Sequence, residues 1–155
     1  MSQQPTTEST HQGMRDWLLM QGFNLADLEQ RGNNGDTALM LATRAGEGLV
    51  VRSLIQAGAS VNARNKDGNN ALWFACFCDR YDLIDQLVKA GIDINNQNDN
   101  GATALMYAAS AGKTEMVQAL LTAGADSQLT NLDDFRAIDF AANRDILRML
   151  KHVVA

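Results

Sequence analysis

The chain is predicted to be an all-α repeat solenoid. One unit recurs at a period of 33 residues without insertion, and each copy carries two short helical patterns punctuated by turn residues. A single pair of such helices cannot cover its own apolar faces, whereas stacked neighbours can, and that is the physical reason for repetition.

The first half of the unit reads Asn34-Gly35-Asp36-Thr37-Ala38-Leu39-Met40-Leu41-Ala42. It returns as Asp67-Gly68-Asn69-Asn70-Ala71-Leu72-Trp73-Phe74-Ala75 and as Asn100-Gly101-Ala102-Thr103-Ala104-Leu105-Met106-Tyr107-Ala108. A degraded fourth copy is Asp133-Asp134-Phe135-Arg136-Ala137-Ile138-Asp139-Phe140-Ala141. The Asn/Asp-Gly pair supplies a turn residue able to take positive φ. Thr37, Asn70 and Thr103 suit helix N-caps, and Ala42, Ala75 and Ala108 are small where helices must come close.

The second half carries an apolar stripe at helical spacing: Val50, Val51, Leu54 and Ile55, then Leu83, Ile84, Leu87 and Val88. Gly58, Gly91 and Gly124 follow these helices as left-handed terminators. Outside the repeats, Met14, Trp17, Leu18 and Leu19 followed by Gly22 fit the second helix of a unit lacking its first half. Residues 141–151 fit a shortened, more polar final helix pair. The expected organisation is a disordered tail at 1–12, an N-terminal capping half-repeat at 13–32 and repeats at 33–65, 66–98 and 99–131. A C-terminal capping repeat at 132–155 completes it.

The pattern Gly-x-Thr-Ala-Leu-x-x-Ala, then Leu-Leu-x-x-Gly-Ala-x-x-Asn, resembles the ankyrin repeat over residues 33–150. That family's Thr-Pro-Leu-His box stands here as Thr37-Ala38-Leu39-Met40, Asn70-Ala71-Leu72-Trp73 and Thr103-Ala104-Leu105-Met106, without its Pro and His. The resemblance implies helix–turn–helix units with β-turn tips, and binding of a protein partner at the tips and the exposed sides of the first helices. It also implies that Asn62 and Asn95 brace the turn to the next repeat; an alternative is that they are substrates of an asparagine hydroxylase.

Composition narrows the function. With 46% apolar and 20% charged residues among 155, the chain is an ordinary globular one, and a net charge of −5 opposes binding to nucleic acid or anionic membranes. No apolar run is long enough to span a bilayer, and the polar N-terminus lacks the basic start and apolar run of a secretory signal. Cys76 and Cys78 lie two apart, about 200° around a helix, so they cannot pair. A reducing compartment, the cytoplasm, and a monomer are expected. No catalytic residue, metal ligand or cofactor site is expected: His11 and His152 are isolated, the carboxylates are scattered, and Gly46-Glu47-Gly48 is too short for a phosphate loop. Cys76 occupies a small buried slot, and a redox-sensing role through Cys78 is the remaining alternative.

The residues expected to touch a partner are Arg44, Lys66, Asp67, Asn69, Trp73, Phe77, Arg80, Tyr81, Asp99, Asn100, Ser110 and Phe135. Copy two stands apart, because Trp73, Phe77 and Tyr81 fall at i, i+4 and i+8 with Arg80 beside them, and aromatics and Arg dominate binding hot spots. Phe77 sits in a ladder whose other members are Arg44, Ser110 and Asn143, which predicts an exposed slot. Trp73 has a packing alternative, between Met40 and Met106 inside the repeat junctions.

Overall fold

In the computed structural model, which describes residues 7–153, each full unit is a short helix, a three-residue turn and a second helix. An N-terminal helix α1 (Thr7–Met20) precedes the pairs α2 (Ala38–Arg44) with α3 (Gly48–Gln56), α4 (Ala71–Phe77) with α5 (Tyr81–Lys89), and α6 (Ala104–Ser110) with α7 (Thr114–Thr122). A 3-10 turn at Ala137–Phe140 and helix α8 (Arg144–His152) finish the chain, and no strand occurs among the described residues. The expected all-α solenoid is the fold observed.

The first helices start where a side-chain acceptor is available. Thr37 Oγ1 accepts the Met40 amide at 3.3 Å, Thr103 Oγ1 accepts that of Met106 at 3.2 Å, and Asn70 Oδ1 accepts that of Leu72 at 3.2 Å. Such caps contribute about 1 kcal/mol each. Asn70 adds a link that Thr cannot make, because its Nδ2 donates to Asp93 O at 3.0 Å in the loop leaving the same unit. The second helices end two residues before Gly58, Gly91 and Gly124, with one alanine between, and all three glycines are at positive φ, as expected.

Two rows of helices enclose the core. The inner row is α2, α4, α6 and then the 3-10 turn, each packed on its predecessor; in the outer row α1 lies on α3, α3 on α5, and α7 on α8. Leu39, Leu72 and Leu105 from the inner row and Leu54, Leu87 and Leu120 from the outer row are fully buried, and Ala42, Ala75 and Ala108 have no exposed surface. Each buried leucine contributes about 1.5–3 kcal/mol of apolar transfer.

The structure corrects the two ends. Residues 7–12, read as part of a disordered tail, belong to α1, and the Ser53 hydroxyl donates to Thr10 O across the junction; residues 1–6 lie outside the described residues. The long loop after Gly22 substitutes for the missing first helix, since buried Phe23 reaches the neighbourhood of Gly32 and Leu41. At the other end the final pair is reduced to a 3-10 turn and one helix. Asn143 therefore does not stand in the Arg44–Phe77–Ser110 ladder; it is the N-cap of α8, its Oδ1 accepting the Ile146 amide at 2.9 Å.

Candidate partner-binding face

The turn tips are built from an asparagine repeated every 33 residues. Asn65 Oδ1 accepts the amides of Asp67 and Asn69, Asn98 Oδ1 those of Asn100 and Ala102, and Asn131 Oδ1 those of Asp133 and Phe135, all at 3.0 Å. Each tip then hangs on the one before it. Lys66 N donates to Asn34 O at 2.9 Å, Asp99 N to Asp67 O at 2.9 Å, and Leu132 N to Asn100 O at 3.1 Å. Side-chain struts double these rungs, with Arg31 reaching Arg64 O, Arg64 reaching Gln97 O and Gln97 reaching Thr130 O. The result is a stiff row of tips whose geometry exists before any partner arrives.

The rungs explain the glycines. At Gly101, φ is +74° and an added Cβ would stand 3.0 Å from both Asn131 Cα and Leu132 N, backbone atoms of the next tip. Asp134 takes the same place in the fourth tip at φ 63°, where among the described residues no other tip packs against it. Gly101→Ala should therefore cost about 1–3 kcal/mol in urea unfolding, clearly more than Gly124→Ala, which has positive φ but nothing within 4 Å of its Cβ. Equal costs would show that the tips are not tightly stacked.

Beside the tips lies a row of half-buried rings from the first helices. Phe74, Tyr107 and Phe140 follow Leu41 at the 33-residue spacing; Trp73 lies 5.0 Å from Tyr107 between ring centroids, and Phe135 lies edge-on 5.9 Å from Phe140. Between tips and helices is a groove of about 380 Å³, lined by Trp73, Phe74, Phe77 and Arg44 on the helix side and by Asn34 and Asp67 on the tip side. Phe77 is 58% exposed at its rim. Arg44 is exposed and holds its guanidinium over Phe74, 5.6 Å from the ring centre.

The expected contact residues separate into groups. Arg44, Asp67, Trp73 and Phe77 do line one groove, and Lys66, Asp99, Asn100 and Ser110 are exposed on the same row of tips and first helices. Trp73 is half-buried and lines the groove as well as stacking on Tyr107, whereas Met40 and Met106 are buried. Phe135 is 49% exposed on the last tip.

Asn69 also lines the groove but is buried, its Oδ1 accepting from Asn98 Nδ2 at 3.1 Å, so it joins tip to tip as well.

Two residues fall elsewhere. Arg80 sits in the turn between α4 and α5, donating to Gly46 O at 2.6 Å and chelating Asp82 with two bonds of 2.8 and 2.9 Å. Its guanidinium holds the Asp82 carboxyl below the usual carboxylate range. Tyr81 opens α5 and lines a different groove, with Ile84, Val88 and Ala119 between the second helices. Its phenol is pushed up by burial and by the Glu115 carboxylate. The helical i+8 relation to Trp73 fails because α4 stops at Phe77 and Asp79 adopts φ 56°.

Sequence reasoning missed Lys113. Its Nζ donates to Cys76 O at 2.8 Å, to Phe77 O at 3.2 Å and to Asp79 at 2.8 Å, and lies 5.6 Å from the Tyr107 ring centre. A cation on the last carbonyls of α4 complements the helix dipole and fixes the backbone beneath Phe77. Burial opposes its charge, but Asp79 and the neighbouring groups outweigh that and raise its pKa. The available signal was the 33-residue match of Lys113 to Arg80.

The thiols and loop asparagines are occupied. Cys76 is fully buried and its pKa is pushed up to about 12 by burial, opposed by Lys113. Burial also raises the Cys78 thiol, which donates toward Thr43 O at 3.3 Å. Neither is poised as a thiolate. In the native chain Cys76 should resist alkylation at about pH 8 and react only on unfolding. Because its folded pKa lies above the unfolded value, its contribution to stability is complete below about 9 and is lost as pH rises through about 12. Fast native alkylation of Cys76 would contradict its burial. Asn62 donates to Gly91 O and accepts from Asp93 N, and Asn95 accepts from Asp126 N, so both brace the following unit.

Among the described residues no group of three His, Cys, Asp or Glu could hold a metal ion, and no helix is long and apolar enough to cross a membrane. In comparison with known proteins, a family model described as ankyrin repeats (3 copies) matches residues 9–98 and 80–154. No curated protein matches the chain.

Proposed function

The chain belongs to the ankyrin-repeat family, and from that premise we propose that it is a non-catalytic module binding one protein partner in the groove between its turn tips and first helices. Ankyrin repeats are in general protein–protein interaction modules. The observation that carries the reading to this groove is Phe77, 58% exposed in a ladder position filled by Arg44 and Ser110 in the neighbouring units. A large rigid ring held out to solvent on a stiff frame offers area at low entropic cost. The groove is preformed by the tip rungs and the Lys113 cap, so binding orders little of the chain. No bond changes are involved, and the same mechanism serves an adaptor, an assembly factor or an inhibitor. Both thiols are free, which suits a reducing compartment such as the cytoplasm.

The test is affinity capture from the native host with the whole chain, followed by titration of the purified partner. We expect a saturable complex that Phe77→Ala fails to form. Capture of the same partner by both proteins at equal strength would place the site elsewhere.

A further inference from the structure

Resting on the reading that a partner occupies this face, we propose that the partner presents an extended basic segment, whose Lys or Arg side chains lie on the aromatic row and meet the carboxylates of the tips. The chain already makes this contact with its own cations. Arg44 lies over Phe74 and Lys113 over Tyr107, each 5.6 Å from the ring centre. Towards the C-terminal end the row continues as Phe140 and Phe135, and among the described residues no cation of the chain lies over either ring.

The charge beside those rings is negative. From the second unit onward the exposed tips carry Asp67, Asp99, Asp133 and Asp134. Lys66 and Arg136 are opposing exposed charges, Arg136 donating to Gln128 Oε1 at 3.2 Å. Arg64 gives its guanidinium to the carbonyls of Gly68 and Gln97 and stands 4.0 Å from Asp99. Among the described residues this leaves Asp67, Asp133 and Asp134 without a cation of the chain against them. Leu132, 74% exposed, and Phe135 flank Asp133 and Asp134, so the last tip brackets an acidic pair with two apolar groups. A cation over an aromatic face with a carboxylate nearby gains from both. Stacked units lie about 10 Å apart, which an extended chain covers in about three residues. The segment therefore matches the tip carboxylates when basic residues recur about every third position, the one at the last unit lying over Phe140 or Phe135. A second copy of the chain is a poor occupant of the last tip, because Asp134 puts a Cβ where the corresponding glycines receive the next tip's backbone.

The experiment selects displayed random peptides of about a dozen residues, enough to cross three units, against the whole chain. Enriched sequences should be net basic, with Lys or Arg spaced about three apart. Their affinity should fall about tenfold in Asp133→Asn with Asp134→Asn, should fall with added salt, and should be lost in Phe77→Ala. Asn tolerates the left-handed conformation at 134, so the fold is kept. Enriched peptides that are acidic or neutral yet still need Phe77 would overturn the charge assignment and leave the groove reading standing. Basic peptides that bind Phe77→Ala as well as wild type would sink the groove reading. Basic peptides indifferent to the carboxylates, no enrichment of basic sequences, or a wild-type dimer that Phe77→Ala dissolves would each overturn the inference.

Discussion

Leu72→Ala should lower the free energy of unfolding by about 2–5 kcal/mol. Leu72 is 1% exposed on α4, the helix that packs against both α2 and α6, so the truncation opens a cavity at the centre of the array. In a chain this size each kcal/mol corresponds to about 2–4 °C in Tm, so the melt should drop by roughly 4–20 °C. The loss should spread, because an end repeat in a short array has few neighbours to fall back on. Chemical denaturation would read this as a lower midpoint with a single transition. A variant melting within about a degree of wild type would mean that the register of the repeats is wrong.

Phe77→Ala should weaken partner binding about a hundredfold while leaving Tm nearly unchanged. Burying the ring completely is worth up to about 3 kcal/mol, and each 1.4 kcal/mol is about tenfold in affinity. In the free protein the ring faces solvent, and substitutions at such positions usually stay within about 0.5 kcal/mol of wild type. The flanking Lys66 and Asp99 should act differently, changing association rate and salt dependence more than residence time. A Phe77→Ala protein that unfolds readily yet still binds when folded would identify Phe77 as a core residue and move the site.

The repeat itself was legible because its signals are local. A period of 33, three side-chain caps and three glycine stops each report on a few neighbouring residues, and all point to the same fold. What the sequence hid depends on contacts between units. Asn69 looks like a solvent-facing tip residue until Asn98 reaches back to it. Arg80 looks like a hot-spot arginine until Gly46 and Asp82 claim its donors. Tyr81 falls at i+8 from Trp73 in the sequence, but the helix that would carry that relation ends at Phe77. The helical start at residues 7–12 was masked by polar composition, although Met14 and Leu18 already mark the buried face of that helix. Exposure of Phe77 was readable because three aligned copies report on one another: a slot holding Arg and Ser in its neighbours faces water.

Hydroxyl-radical footprinting of the chain alone and with its captured partner tests the docking face most directly, since exposed oxidisable side chains sit on every side of the molecule. Phe77 and Phe135 mark the tip and first-helix face, Tyr81 marks the groove between second helices, and Leu19 and Met20, the latter 82% exposed, mark the N-terminal end. We expect the partner to protect Phe77 and Phe135 and to leave Tyr81, Leu19 and Met20 as reactive as in the free chain. Protection of Tyr81 or Met20 with Phe77 still fully reactive would contradict the account.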